Sequence, residues 1–227
     1  MSQLLQRSLW MSALATSLIA AGAANATNGY FAHGYGTQTK GLAGAGVAHP
    51  KDTLAAATNP AGMVLVGDRM DFGLGWFHPE REYTITGAPS GFPGTFPLNP
   101  RTTQSDSNDF FIPHFGYNKM ISPDMSVGVS VYGNGGMNTD YPNFSNPLFC
   151  DFNMDGTPDG SGPFCAGEAG VNLEQLFITP TFAQKISLAS GDFTWGVSPI
   201  FAYQRFSARG IATFSGFSSD PTSLTNK

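Results

Sequence analysis

The sequence predicts an all-β fold, an antiparallel transmembrane β-barrel whose opening strands follow a partly helical N-terminal segment. Three observations point there. Charged residues make up only 12% of the 227 and aromatic residues 13%, yet the mean hydropathy is −0.10, so apolar side chains are spread among polar ones rather than gathered in runs. Apolar residues alternate with small or polar ones over five stretches, which is the period of a sheet whose two faces meet different surroundings. Between those stretches, short turns alternate with long Gly- and Pro-rich connections, as in outer-membrane barrels with turns inside and loops outside. A soluble β-sandwich also yields alternating strands. It accounts less well for small or polar residues opposite nearly every apolar one, because a barrel wall has lipid on one face and lumen on the other.

Residues 1–26 read as an export signal. Arg7 precedes the apolar run Leu9 to Gly22, and Ala24-Asn25-Ala26 forms a cleavage site that leaves Thr27 first. The run falls short of the roughly 20 residues of a membrane span and is broken by Ser12, Thr16 and Ser17. Removing it deletes one base and no acid, taking the net charge from −5 to −6, and nothing in that balance suggests a nucleic-acid partner. Thr27 to about Asp68 lie between the export signal and the first strand. Within that stretch Asp52 is a good N-cap for a short helix over Thr53 to Ala57. Pro60 disfavours helical geometry at Asn59 and has no N–H to donate, so the helix is expected to end there before the chain turns strand-like.

Residues 69–227 are expected to carry the barrel strands and their outer loops. Met70, Phe72, Leu74 and Trp76 alternate with Asp71, Gly73 and Gly75. Next comes Asp109 to Lys119, with Phe111, Pro113, Phe115 and Tyr117 on one side. Met125 to Tyr132 sets Val127, Val129 and Val131 against Ser126, Gly128 and Ser130. Leu173 to Ile186 is less regular. In the fifth and clearest, Phe193, Trp195, Val197, Pro199, Phe201 and Tyr203 alternate with Thr194, Gly196, Ser198, Ala202 and Gln204. Ser122-Pro123-Asp124 and Leu188 to Asp192 make the short turns, while His78 to Asn108 and Gly133 to Asn172 make the long loops. Five strands cannot close a barrel, and the last residues are polar without a terminal aromatic strand, so the expectation is a truncated chain.

The segment Gly41-Leu42-Ala43-Gly44-Ala45-Gly46-Val47-Ala48, then Asp52 to Ala57, then Asn59-Pro60-Ala61 and a strand at Met70 resembles the start of the FadL/TodX family of outer-membrane hydrocarbon and long-chain fatty-acid transporters. The resemblance extends through Tyr132-Gly133 and covers about half of a full-length member. It implies a fourteen-stranded barrel in which residues 27–68 form a hatch inside the lumen. It also implies that the third strand kinks inward at Tyr132-Gly133, ahead of Asn134-Gly135-Gly136, and opens a window beside the Asn59-Pro60-Ala61 triplet. The implied cargo is hydrophobic small molecules or fatty acids. Such cargo gains from a sideways exit into outer-membrane lipid, since entering water costs about 25 cal/mol per Å² of apolar surface. A monomer is expected.

Cys150 and Cys165 depart from that family's pattern. In an exported chain two cysteines at this spacing most simply form one disulfide, contributing about 3 kcal/mol of constraint. Between them Asp151, Asn153, Asp155, Gly156 and Asp159 match the first part of a calcium loop. Position twelve is Gly162 rather than a bidentate Glu, and Glu168 is the nearest replacement, so calcium and an ordinary acidic turn both stand. Enzyme motifs are scarce: His33, His49, His78 and His114 lack metal-ligand spacing and no G-x-S-x-G elbow occurs. Transport of apolar compounds ranks first, ahead of a structural or adhesive barrel displaying the disulfide loop, with an outer-membrane lipid-modifying enzyme third.

Overall fold

Period-two alternation becomes long antiparallel strands. The computed structural model describes residues 27–28, 31–92 and 95–221; the expected export signal lies outside them. Two short strands, β1 (Thr27–Asn28) and β2 (Phe31–Ala32), precede a helix α1 (Thr37–Gly41). A 3-10 helix over Thr53–Ala57 follows, then a 3-10 turn Pro60–Gly62 and a helix α2 (Met63–Val66). The remaining strands are β3 (Arg69–Phe77), β4 (Glu82–Ile85), β5 (Arg101–Gln104), β6 (Phe110–Ser122), β7 (Met125–Tyr141), β8 (Ala169–Leu188), β9 (Gly191–Val197) and β10 (Phe201–Arg209). Across the main sheet the order is β3, β6, β7, β8, with β9 and β10 both on the far edge of β8 and β2 bridging to β7. β4 and β5 form a separate two-stranded sheet. No helix among the described residues is long and apolar enough to cross a membrane, which does not bear on crossing by strands.

The register aligns like with like. Phe72, Phe115, Val131, Ile178 and Phe201 follow one another across five strands, so the apolar positions share a face. The opposite face carries small and polar residues, and residues 51–67 pack against it. Their apolar core is Ala55, Ala56, Met63 and Val64 with Ala183 from β8, flanked by Val66 and Met120.

Three expectations change. Asn59 and Pro60 end one helical turn but do not lead into strand. The Asn59 side chain caps the next turn by accepting from Ala61 N–H at 3.2 Å, with Pro60 at its first position, where a missing N–H costs nothing. The fifth strand is interrupted: Ser198, Pro199 and Ile200 leave the ladder, and β10 resumes in the register of β9. In that register Pro199 faces Pro180, and neither has an N–H to give. The long connections are also shorter than expected. β7 runs on to Tyr141 through Gly135, Met137 and Thr139, β8 starts at Ala169, and the first loop holds β4 and β5.

Candidate functional site

The N-terminal segment is seated by polar groups on the main sheet. Asp52 caps the turn that follows it by accepting from Leu54 N–H at 2.9 Å, and burial to 4% exposure pushes its carboxyl above the ordinary value. Thr53 donates both its N–H and its hydroxyl to Asp71 Oδ2, each at 2.9 Å. Arg69 holds that carboxylate at 2.5 Å and reaches the Lys51 carbonyl at 2.9 Å. One ion pair on β3 thus fixes the start of the turn. Ser130 of β7 donates to the Thr53 carbonyl, and fully buried Asn118 of β6 donates to the carbonyls of Met63 and Gly67 at 2.9 Å each. Those carbonyls belong to the first residue of α2 and to the residue just past its end, groups that so short a helix leaves without partners of its own.

Glycines on the sheet let the N-terminal segment approach closely. A Cβ on Gly116 would fall 2.0 Å from Thr53 Oγ1. One on Gly196 would fall 2.7 Å from Pro60 C and O and 2.8 Å from Ala61 N, so the Asn59-Pro60-Ala61 triplet lies directly on the β9 backbone. The Asn59 amide also donates to the Val47 carbonyl at 2.9 Å, tying the triplet to the Gly/Ala-rich stretch before it.

Tyr132 and Gly133 sit on a different part of the sheet. Pairing between β6 and β7 stops at His114 and Tyr132, so residues 133–141 of β7 lose β6 as a neighbour while keeping β8. A register shift between Gly133 and Gly135 leaves Asn134 as the extra residue of a bulge. The stretch is therefore a continuing strand rather than a loop start. Tyr35 covers the bulge, its ring 4.7 Å from that of Tyr132 and its hydroxyl donating to Asn134 Oδ1 at 2.8 Å; burial raises the Tyr35 pKa. Phe31 of β2 pairs with Gly135 on the edge that β6 has left. From the N-terminal segment it is Tyr35 that meets Tyr132, which also packs on Phe177 of β8 at 5.9 Å, while Asn59-Pro60-Ala61 meets β9.

Cys150 and Cys165 form a disulfide, with Cα atoms 5.3 Å apart. Inside the ring Asp151 accepts from the N–H groups of Asp155 and Gly156, Asp159 from those of Phe152 and Asn153, and Asp155 from that of Thr157. The Thr157 hydroxyl also donates to Asp155 and is the main reason its carboxyl sits below the ordinary value. Glu168 points elsewhere, 3.5 Å from Arg209. Among the described residues no group of three or more His, Cys, Asp or Glu is arranged to hold a metal. In this structure the Asp side chains of the calcium-type spacing cap the loop's own turns.

Set beside known protein families, curated proteins and solved structures, the chain matches none. Its site rests on geometry alone. Several residues central to that geometry escaped the sequence reading: Asp71, Asn118, Gly116, Gly196 and Tyr35. Gly inside a strand is a signal for close backbone approach, and Asp71 alternating with Phe72 placed a charge on the inner face. Nothing local in the sequence marks Tyr35.

Proposed function

We propose that this chain forms the first strands of an outer-membrane barrel of the FadL/TodX type, with residues 27–68 as its internal hatch, and that the whole protein takes up hydrophobic compounds such as long-chain fatty acids or hydrocarbons. One observation carries the reading. The face turned away from the N-terminal segment is apolar and bare, with Phe72 78% exposed, Trp76 67%, Phe201 61% and Tyr203 65%. Such side chains together present on the order of 1,000 Å² of apolar surface, against the few hundred Å² that soluble monomers tolerate. Left in water it would cost on the order of 25 kcal/mol. Lipid removes that cost. The height also agrees: Phe193 to Tyr203 spans ten residue steps, roughly 33 Å, or about 25 Å of membrane normal at barrel tilt.

An inner face of glycines, serines and threonines packed on a capped segment supports a plugged lumen rather than a water-filled one. Export, outer-membrane insertion and absence of a catalytic role belong to the same proposal. The outer loops favour a second reading, a barrel that displays a structured surface. Phe96 stacks edge-on with Phe149 and Phe164 at 5.0 and 5.5 Å, and Phe214 closes the cluster, so the disulfide loop is held in one arrangement. Fractionation and uptake separate the two. Full-length protein in the outer membrane that migrates faster unheated than boiled and accelerates entry of a labelled fatty acid supports transport. Insertion without any gain in entry favours the display role, and recovery from the periplasm as a soluble protein overturns both.

A further inference from the structure

Toward the loops, the apolar face of the sheet turns polar within one register row. Val131, Ile178 and Phe201 lie side by side on β7, β8 and β10, and Gly133, Leu176 and Tyr203 make the next row. After them come Gly136, Glu174 and Arg205, then Asn138, Asn172 and Ser207, then Asp140, Gly170 and Arg209. Each row is two residues, about 7 Å, further along the strands. The change falls where the apolar band of the proposed barrel would end and the outer interface begin. Arg205 and the last two rows line a hollow of about 290 Å³, at the small end of small-molecule sites.

Its polar groups are of both kinds. The Asn138 amide donates to Asn172 Oδ1 at 3.1 Å and the Asn172 amide to Glu174 Oε1 at 2.8 Å, so the two amides form one directed chain. Arg209 lies 3.3 Å from Asp140 and 3.5 Å from Glu168, beyond the roughly 2.7–2.9 Å of strong charge-assisted bonds. Among the described residues the Arg205 guanidinium has no hydrogen bond or ion pair, and the Ser207 hydroxyl has none either. A fork of five donors and a hydroxyl therefore stand unused beside the hollow.

The charge balance decides what fits. Asp140, Glu168 and Glu174 outnumber Arg205 and Arg209, so a bare phosphate would meet net negative charge. A sugar suits the set better, because each of its hydroxyls donates to a carboxylate or amide oxygen and accepts from a guanidinium or amide N–H. The hollow is also continuous with the apolar band, so a ligand covering both has a sugar head and hydrocarbon tails. We infer that this hollow holds the sugar headgroup of an outer-leaflet glycolipid, with Arg205 and Ser207 as its free contacts, Asp140 and the Asn138–Asn172 pair as its fixed ones, and its acyl chains beside Leu176 and Tyr203. The site rests on the barrel reading above and is independent of what the barrel transports.

The test measures retention of radiolabelled lipopolysaccharide by immobilised full-length protein in detergent, with unlabelled phosphatidylglycerol or inorganic phosphate as competitors. Arg205→Gln removes the free fork, and Ser207→Phe fills the hollow. Lys119→Gln removes a positive charge from the same face at the turn end, in the row of Val127. Wild type and Lys119→Gln are expected to retain equal amounts, and Arg205→Gln and Ser207→Phe several-fold less, all with barrels that still shift on heating. Neither competitor is expected to displace the label. Retention by Arg205→Gln and Ser207→Phe equal to wild type, or no retention by a wild-type barrel, overturns the site and leaves the barrel standing. Displacement by phosphate or phosphatidylglycerol overturns the sugar assignment. Full-length protein that stays soluble without detergent overturns the barrel and the site together.

Discussion

Gly196→Ala should unseat the N-terminal segment without harming the sheet. The added Cβ would lie 2.7 Å from the carbonyl carbon and oxygen of Pro60 and 2.8 Å from Ala61 N. These are backbone atoms in a turn whose φ is fixed by proline and whose first N–H is capped, so they cannot rotate aside as a side-chain tip would. Relief needs a shift of nearly 1 Å, and overpacking of this kind costs about 1–3 kcal/mol. That converts to a roughly 5- to 150-fold larger undocked population. Amide hydrogen exchange in the full-length protein reads it directly: protection over residues 53–66 should fall by that factor while amides of β7 and β8 keep theirs. Gly75→Ala is the control, because its Cβ would meet only the Lys40 ammonium at 3.3 Å and the Ile112 carbonyl at 3.7 Å. Unchanged protection over 53–66 in Gly196→Ala, or an equal loss in Gly75→Ala, would show that the triplet does not rest on β9.

Other outcomes follow from the same contacts. Asp71→Ala removes the acceptor for two Thr53 donors and the partner of Arg69, so exchange over 53–57 should rise by the equivalent of about 2–4 kcal/mol, beyond what loss of a single bond gives. Asp52 carries a carboxyl raised by burial, so the folded protein holds that proton over a pH range where the unfolded chain has released it. Its contribution to stability therefore falls as pH rises from the ordinary aspartate range through the raised value. Asp52→Asn keeps a capping oxygen and should abolish that slope, whereas Asp52→Ala should lose the cap as well; identical pH profiles for wild type and Asp52→Asn would refute the assignment. Reduction of Cys150–Cys165 should make residues 150–165 sensitive to external protease while leaving protection over 53–66 intact.

The wall was legible because its chemistry is periodic. Met70 to Trp76 and Met125 to Tyr132 state their faces in single-residue alternation, and the structure keeps those faces. The extensions were not legible: Gly135, Met137 and Thr139 continue β7 with too few apolar residues to show a period, and pairing with β8, with Phe31 of β2 at Gly135, fixes them. The break at Ser198–Ile200 was hidden by its own alternation, since Pro199 falls in phase with Val197 and Phe201. Its cause is Pro180 across the ladder, which no local window contains. The same holds for the site. Asn59-Pro60-Ala61 was visible as a capped stop, but its seat on Gly196 joins residues far apart in sequence, and Tyr35 meets Tyr132 only because the chain folds back across the sheet. At Cys150 and Cys165 the spacing, with the expected export, pointed to a disulfide, and the disulfide is present.

The most direct test of the barrel-and-hatch account is spin-label accessibility in the full-length protein reconstituted in bilayers. Labels at Phe72, Val131 and Phe201 lie in the register row that crosses the sheet on its apolar face, and a label at Gly75 lies on the other. The account predicts that the first three collide with oxygen far more than with a water-soluble nickel chelate, and that Gly75 does not. Preference for the nickel chelate at Phe72, Val131 and Phe201 would mean that this face meets water or protein, and the account would fall.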